Sequence, residues 1–190
     1  LERITRDVAG RMDRWALARF EELRDKVTAA YERFEFHSIH QALNYFCGTT
    51  MSAFYLDILK DRLYCSGTDS TLRRSAQTVL HEILGGLLQL MSPVLTFTTA
   101  EAWEHFHDLG DNASIEESIF FTEFPKAKPE RRDEELEARW EKLIQVRSEI
   151  TKALEAARRE KTIGHPLEAE VFLEINGEWV EFIEKEWEQV

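Results

Sequence analysis

The residues of this chain that could do chemistry are few, and they do not converge on a catalytic constellation. His37 and His40 lie one helical turn apart, and His105 and His107 lie beside an acidic stretch. A zinc site needs three or four ligands, and neither pair has a third in register, so both read as surface or capping histidines. Cys47 and Cys65 are the only cysteines and belong to no CxxC or Cys/His array; they read as small core residues rather than nucleophiles. Thr162-Ile163-Gly164-His165 is similar to a nucleotide-binding tetrapeptide. That chemistry needs a strand before it and a helix after it, so that the helix N-terminus faces the phosphates. Here a helical stretch precedes it and Pro166 follows, so the match reads as coincidence. What remains is a set of cations with one aromatic ring: Lys60, Arg62 and Tyr64 at the end of one helical stretch, Arg73 and Arg74 at the start of the next. Ammonium and guanidinium groups neutralise phosphates, and a tyrosine ring offers a stacking plane for a base. Lys60 and Arg62 are also favoured at a helix C-terminus by the dipole alone, whereas Arg73 and Arg74 sit where the dipole disfavours them. Asp57, Asp61 and Asp69 lie close in sequence and compete for the same cations.

A net charge of -12 opposes a polyanionic partner at first sight. The distribution changes that conclusion. From Leu1 to Leu95 there are 12 basic and 12 acidic residues, and from Lys126 to Lys161 there are 11 and 9, whereas Thr96 to Pro125 has 7 acids and no Lys or Arg, and Thr162 to Val190 has 8 acids against 1 base. An RNA-facing surface must therefore lie on the two near-neutral regions.

The elements that must position these groups are mostly helical. With 43% hydrophobic residues and only 8 Gly and 4 Pro in 190 residues, the chain can build a packed core. Trp15, Phe20, Leu23, Val27, Ala30, Tyr31 and Phe34 form a stripe that predicts a helix from Arg11 to about Phe34. After a break near Glu35 the period resumes through Ile39, Leu43, Phe46, Phe54, Ile58 and Leu59 to about Tyr64, with Gly48-Thr49-Thr50 as a point where the helix bends. Ser70 caps a third helix from Thr71 to Met91 that Pro93 stops, and Gly85-Gly86 within it predicts close approach of a neighbouring helix. Thr98 and Glu101 form a capping box for a short fourth helix. The segment from Ser118 to Pro125 is expected to lie extended over the core, and a long fifth helix runs from about Glu130 to Lys161, with Gly164 and Pro166 as its stop. Alternation at Ala169, Val171, Leu173 and Ile175 predicts a strand. Beyond Asn176-Gly177 either a helix or a hairpin is compatible with the pattern. The expected fold is thus mainly α, an antiparallel bundle of about five helices over residues 1–161, followed by the start of a small α/β subdomain over 162–190. The expected core includes Trp15, Phe20, Leu43, Phe54, Ile58, Val79, Ile83, Leu87, Trp103, Trp140 and Ile150. No run is long enough to span a bilayer, and the N-terminus has no signal-peptide pattern. Leu1 is not Met and Val190 falls inside an apolar-periodic stretch, so the chain reads as a piece of a longer one.

Specific strings go further than composition. Asp13-Arg14-Trp15-Ala16-Leu17, Tyr31-Glu32-Arg33-Phe34-Glu35-Phe36-His37, Asn44-Tyr45-Phe46-Cys47 and the run from Ser52 to Tyr64 occur in that order. They are followed by Arg74-Ser75-Ala76-Gln77-Thr78-Val79-Leu80, Ser92-Pro93-Val94-Leu95 and the run from Ile163 to Val171. Together these resemble the anticodon-binding domain of isoleucyl-tRNA synthetases over almost the whole chain. Only the stretch from Asp108 to Pro129 offers no motif to align.

The resemblance implies a multidomain, cytoplasmic ligase that activates isoleucine with ATP and Mg and esterifies it to tRNA(Ile), with catalytic and editing domains upstream of Leu1 and a zinc-bearing region further on. ATP, Mg and zinc belong to that full-length enzyme, and no cofactor, catalytic residue or metal site is expected within these residues. The implied partner is tRNA(Ile), with no DNA, no membrane and a monomeric full-length enzyme. The candidate tRNA contacts are Lys60, Arg62, Tyr64, Arg73 and Arg74. The related valyl-type domain is the alternative within the class. A helical protein-interaction bundle is the alternative outside it, although Arg147 interrupts the seam such a bundle would need on the fifth helix.

Overall fold

The computed structural model describes residues 10–109, 114, 117–165, 168–175 and 177–186. The chain forms two compact units, Leu1–Glu134 and Glu135–Val190.

In the first unit, α1 (Arg11–Glu32) buries Trp15, Phe20, Leu23, Val27 and Ala30 of the predicted stripe, and Leu17 beside them, whereas Phe34, placed in the same stripe by its spacing, lies beyond the helix and is exposed. It ends where Phe34 turns to φ 58, and the Glu35 N–H reaches back to the Ala30 carbonyl at 2.9 Å while the Phe34 N–H bonds Tyr31 O at 3.0 Å. These are the two bonds of a Schellman cap, here built on a residue other than glycine. The chain reverses into α2 (Phe36–Tyr45), continues as a π-helical segment (Phe46–Leu56) and returns to α geometry in α3 (Asp57–Tyr64). The weak point at Gly48-Thr49-Thr50 is thus the middle of a widened helix rather than a bend. Its altered rotation carries Leu59 into the core and leaves Ile58 36% exposed, against the expectation that Ile58 is buried.

Helix α4 (Thr71–Met91) starts at Ser70, whose side chain accepts from the Arg73 N–H. Asp13 bonds Tyr55 and Ser75 at one end of the unit, and Tyr31 donates to Leu90 O at the other, so α1 and α4 run parallel with α2 to α3 antiparallel to both. The two glycines of α4 do what their position predicted. A Cβ on Gly86 would stand 2.3 Å from Phe20 Cζ, and one on Gly85 3.3 Å from the Phe106 ring.

Helix α5 (Thr96–Phe106) begins at Leu95 without a side-chain cap, and Thr98 lies inside it. Thr99, not Thr98, carries the local bonding, its hydroxyl donating to Leu95 O at 2.9 Å. Trp103 packs with Leu88 and Ile119 and donates its indole N–H to Glu117 O. The segment expected to be extended contains a 3-10 turn (Ile119–Phe121) that buries Ile119 and turns Phe120 and Phe121 outward. A second turn (Pro129–Arg131) is tied down by charge. Glu21, 2% exposed, accepts from the Lys128 N–H and pairs with Arg24 and Arg131, while Glu82 takes Lys128 Nζ and Arg131 Nη2. Burial alone would raise the Glu82 pKa, but the hydrogen bonds and charges of Lys128 and Arg131 outweigh it and hold the carboxyl below the ordinary carboxylate value.

In the second unit, α6 (Glu134–Arg159) buries Leu136, Trp140 and Leu143, with Ile150 only partly covered. It closes by a further Schellman cap at Lys161, φ 59, ahead of the Gly164 and Pro166 expected to stop it. The alternating residues 169–175 form no strand, and none occurs among the described residues. Alternation makes a face, but a strand exists only through ladder bonds to a partner, and none is paired with it. After Gly177 the chain takes the helical option as α7 (Gly177–Glu186), with Lys142 Nζ 5.5 Å from the Phe182 ring centroid. Trp187 and Val190 lie outside the described residues. No helix among the described residues is long and apolar enough to cross a membrane.

Candidate nucleic-acid interface

The five candidate contacts occupy the pole where α1 starts, α3 ends and α4 begins, because a short connection joins Tyr64 to Thr71. They do not have equal freedom. Lys60 is exposed and pairs with Asp57 at 2.8 Å, a hydrogen bond that raises its pKa. Tyr64, one turn on, is 82% exposed. Arg74 is exposed, and its side chain has no ion pair among the described residues. Arg73 is half-buried and donates Nη1 to Ser66 O at 2.9 Å, which fixes the loop between the helices. Arg62 points the other way from Lys60 and Tyr64, as a residue two positions from each must on a helix. Its side chain is 27% exposed, and Nη1 lies 3.6 Å from Asp13 Oδ1 with no hydrogen bond among the described residues.

Arg62 therefore belongs first to a buried polar cluster that the sequence reading did not single out. Asp13 is fully buried and accepts from Tyr55 Oη at 2.8 Å and from Ser75 Oγ at 2.7 Å. Burial pushes the Tyr55 phenol far above its ordinary range, and the Asp13 charge adds to that, so the phenol remains a donor. The signal was present: Asp13 shares a helical stripe with Leu17 and Phe20, and a carboxylate in an apolar stripe needs partners.

The other reactive residues take structural or surface roles. Cys47 and Cys65 are both exposed, not core residues as their type suggested. Desolvation of the Cys47 thiol raises its pKa, which disfavours the thiolate. His40 Nε2 lies 2.8 Å from Asn44 Nδ2, His37 meets Ser38, and His107 packs at a tilt against Trp103 with centroids 4.1 Å apart. The Gly164 N–H bonds Glu168 Oε2 at 2.8 Å, so the tetrapeptide around it is a local turn. Among the described residues no group of three or more His, Cys, Asp or Glu is placed to hold a metal ion.

In the first unit the helices gather Lys60, Arg73 and Arg74 at one pole, the arrangement of a helical binding domain. The family model for the anticodon-binding domain of tRNA ligase matches residues 13–173, and the chain belongs to that family. Along its length it is similar to the isoleucine-tRNA ligases of Desulfotalea psychrophila (61% identical over 189 residues, 100% of this chain and 20% of the relative), Carboxydothermus hydrogenoformans (48% over 172 residues, 90% and 18%) and Syntrophotalea carbinolica (47% over 180 residues, 94% and 19%). The chain spans about a fifth of the length of these relatives.

Proposed function

We propose that the chain is the tRNA-contacting module of an isoleucine-tRNA ligase, and that it holds the anticodon arm of tRNA(Ile) while ATP-dependent aminoacylation takes place elsewhere in a cytoplasmic, monomeric enzyme. The observation that carries this reading is 61% identity, along the whole of this chain, to a fifth of the isoleucine-tRNA ligase of Desulfotalea psychrophila, joined to the anticodon-binding family match. The chemistry agrees with it. Stem contacts fix register through phosphates and sugars, and need only a few well-placed cations. Lys60, Tyr64 and Arg74 are the exposed groups of the cationic pole and make the direct contacts. Arg73 shapes the loop, and Arg62 presents its remaining exposed edge. In this reading ATP, Mg and zinc are handled by the rest of the enzyme.

Binding of the chain to tRNA(Ile) and to a tRNA for another amino acid, each at two salt concentrations, tests the reading. Affinity for tRNA that falls with salt is the expected result. Absence of tRNA binding at low salt would overturn it, as would isoleucine-dependent ATP/pyrophosphate exchange by the chain alone.

A further inference from the structure

Asp13 is fully buried, and each of its oxygens already has a donor, Tyr55 Oη at 2.8 Å and Ser75 Oγ at 2.7 Å. The three groups belong to α1, the π-helical segment and α4, so the carboxylate cannot turn unless three elements move with it. Arg62 meets this fixed anion in another way. Its Nη1 is buried and lies 3.6 Å from Asp13 Oδ1, with no hydrogen bond among the described residues. Charge alone holds it there, and charge acts more strongly beside a buried group than in water. A guanidinium that only closed the fold would use its five donors on protein acceptors. Arg24 and Arg131 of the same unit do so, each donating to two carboxylates.

The buried end of the Arg62 guanidinium lies beside Gly10, where a Cβ would stand 3.7 Å from Nη1, while 27% of the side chain stays exposed at the pole of Lys60 and Arg74. The other cations of that pole are held differently. Lys60 pairs with Asp57, whose side chain is 43% exposed, and an ion pair in water orients its partners weakly. Arg73 is committed to Ser66 O. Among the described residues Arg62 is therefore the one cation of this pole that a buried charge aims. An exposed arginine loses rotamer freedom when it binds, and one already aimed loses less.

Resting on the tRNA-binding reading, we propose that Asp13, held by Tyr55 and Ser75, is a positioning residue: it aims the Arg62 guanidinium so that the exposed edge takes a backbone phosphate of tRNA(Ile). A carboxylate close to an RNA contact then helps binding, although by charge alone it opposes a polyanion. This difference in sign gives the test. Asp13→Asn keeps the shape of the side chain and makes the pole more positive, so plain electrostatics calls for tighter tRNA binding and a steeper salt dependence. Loss of a positioning residue calls for the reverse. In the full-length ligase Asp13→Asn should weaken tRNA(Ile) binding by about tenfold and lower the magnitude of the salt slope by about 1. In a double-mutant cycle with Arg62→Ala, the same substitution should change affinity by less than about twofold once Arg62 is gone. Tyr55→Phe keeps both charges and removes one bond, and it decides the matter if Asp13→Asn does not fold. It should weaken binding by about threefold with Arg62 present and leave it unchanged without. Unaltered or tighter binding by the folded Asp13→Asn variant overturns the inference. So does an equal loss in both backgrounds, which would make the cluster purely structural. Failure of the wild-type ligase to bind tRNA(Ile) removes the reading beneath it instead.

Discussion

Tyr55 Oη donates to Asp13 Oδ1 at 2.8 Å across 42 residues of sequence, and the carboxylate it meets is fully buried. Ser75 satisfies the other oxygen and Arg62 supplies the opposing charge, so one side chain of α1 ties the π segment, α3 and α4 at a single point. Asp13→Ala is expected to cost about 3 to 5 kcal/mol, since it leaves two buried hydroxyls unpaired and a half-buried guanidinium without its counter-charge. Tyr55→Phe removes one bond and should cost about 1 to 2 kcal/mol. Urea unfolding of the two variants checks the order; an Asp13→Ala variant no weaker than Tyr55→Phe would show that the cluster adds nothing beyond packing.

At Gly86 two effects of opposite sign meet. Alanine is favoured over glycine in a helix interior by about 1 kcal/mol. The new methyl would lie 2.3 Å from Phe20 Cζ, and Phe20 is a core ring only 2% exposed. Overpacking of this kind costs about 1 to 3 kcal/mol or more, so Gly86→Ala should destabilise. Gly85→Ala meets the Phe106 ring at 3.3 Å. A small shift of that partly exposed ring is enough there, and the change should be close to neutral. Thermal melts of the pair would contradict the packing argument if Gly86→Ala were the more stable.

These two positions also show what was legible in the sequence. Gly85-Gly86 in a strong helical pattern predicted a close approach because nothing else explains two glycines there. Most helices followed from their apolar period, although the Thr98 cap did not form because the helix already starts at Thr96, and nine of the eleven expected core residues are buried. Ile58 failed because the stripe was projected through Phe46–Leu56 with α rotation, and no residue type in that segment marks a π-helix. The strand at 169–175 failed because alternation specifies a face and not a partner. The candidate contacts were located by type and by the short connection between two helices. Which of them is spent internally was not visible: Arg62 turns toward Asp13 only because α1 and α3 meet, a tertiary fact.

Acid should act on Glu82 in a defined direction. Lys128 and Arg131 hold its folded-state pKa below the ordinary carboxylate value, so its contribution is present above the unfolded pKa, about 4.3, and is lost as pH falls through the lower folded value. Glu82→Gln removes that dependence. Unfolding free energy measured from pH 7 down to about pH 3 should fall less steeply in Glu82→Gln than in the wild type. Parallel curves would mean that the carboxylate gains nothing from its two cations.

The cationic pole can be dissected with Arg62→Ala and Arg74→Ala. Arg74 is exposed and without an ion pair among the described residues, so its removal should leave stability within about 0.5 kcal/mol. It should also weaken tRNA(Ile) binding and lower the magnitude of the salt slope by about 1, as expected for one lost phosphate contact. Arg62 faces the buried Asp13 carboxylate, and truncating it leaves that charge with two hydroxyl donors only. Arg62→Ala should therefore destabilise the fold by more than Arg74→Ala, whatever it does to the RNA. Fluorescence-detected unfolding and tRNA titrations at two salt concentrations, made on both variants, separate the roles. If Arg74→Ala left affinity and salt slope as in the wild type, the pole would be a solvated helix end, and the phosphate contacts would lie on another face.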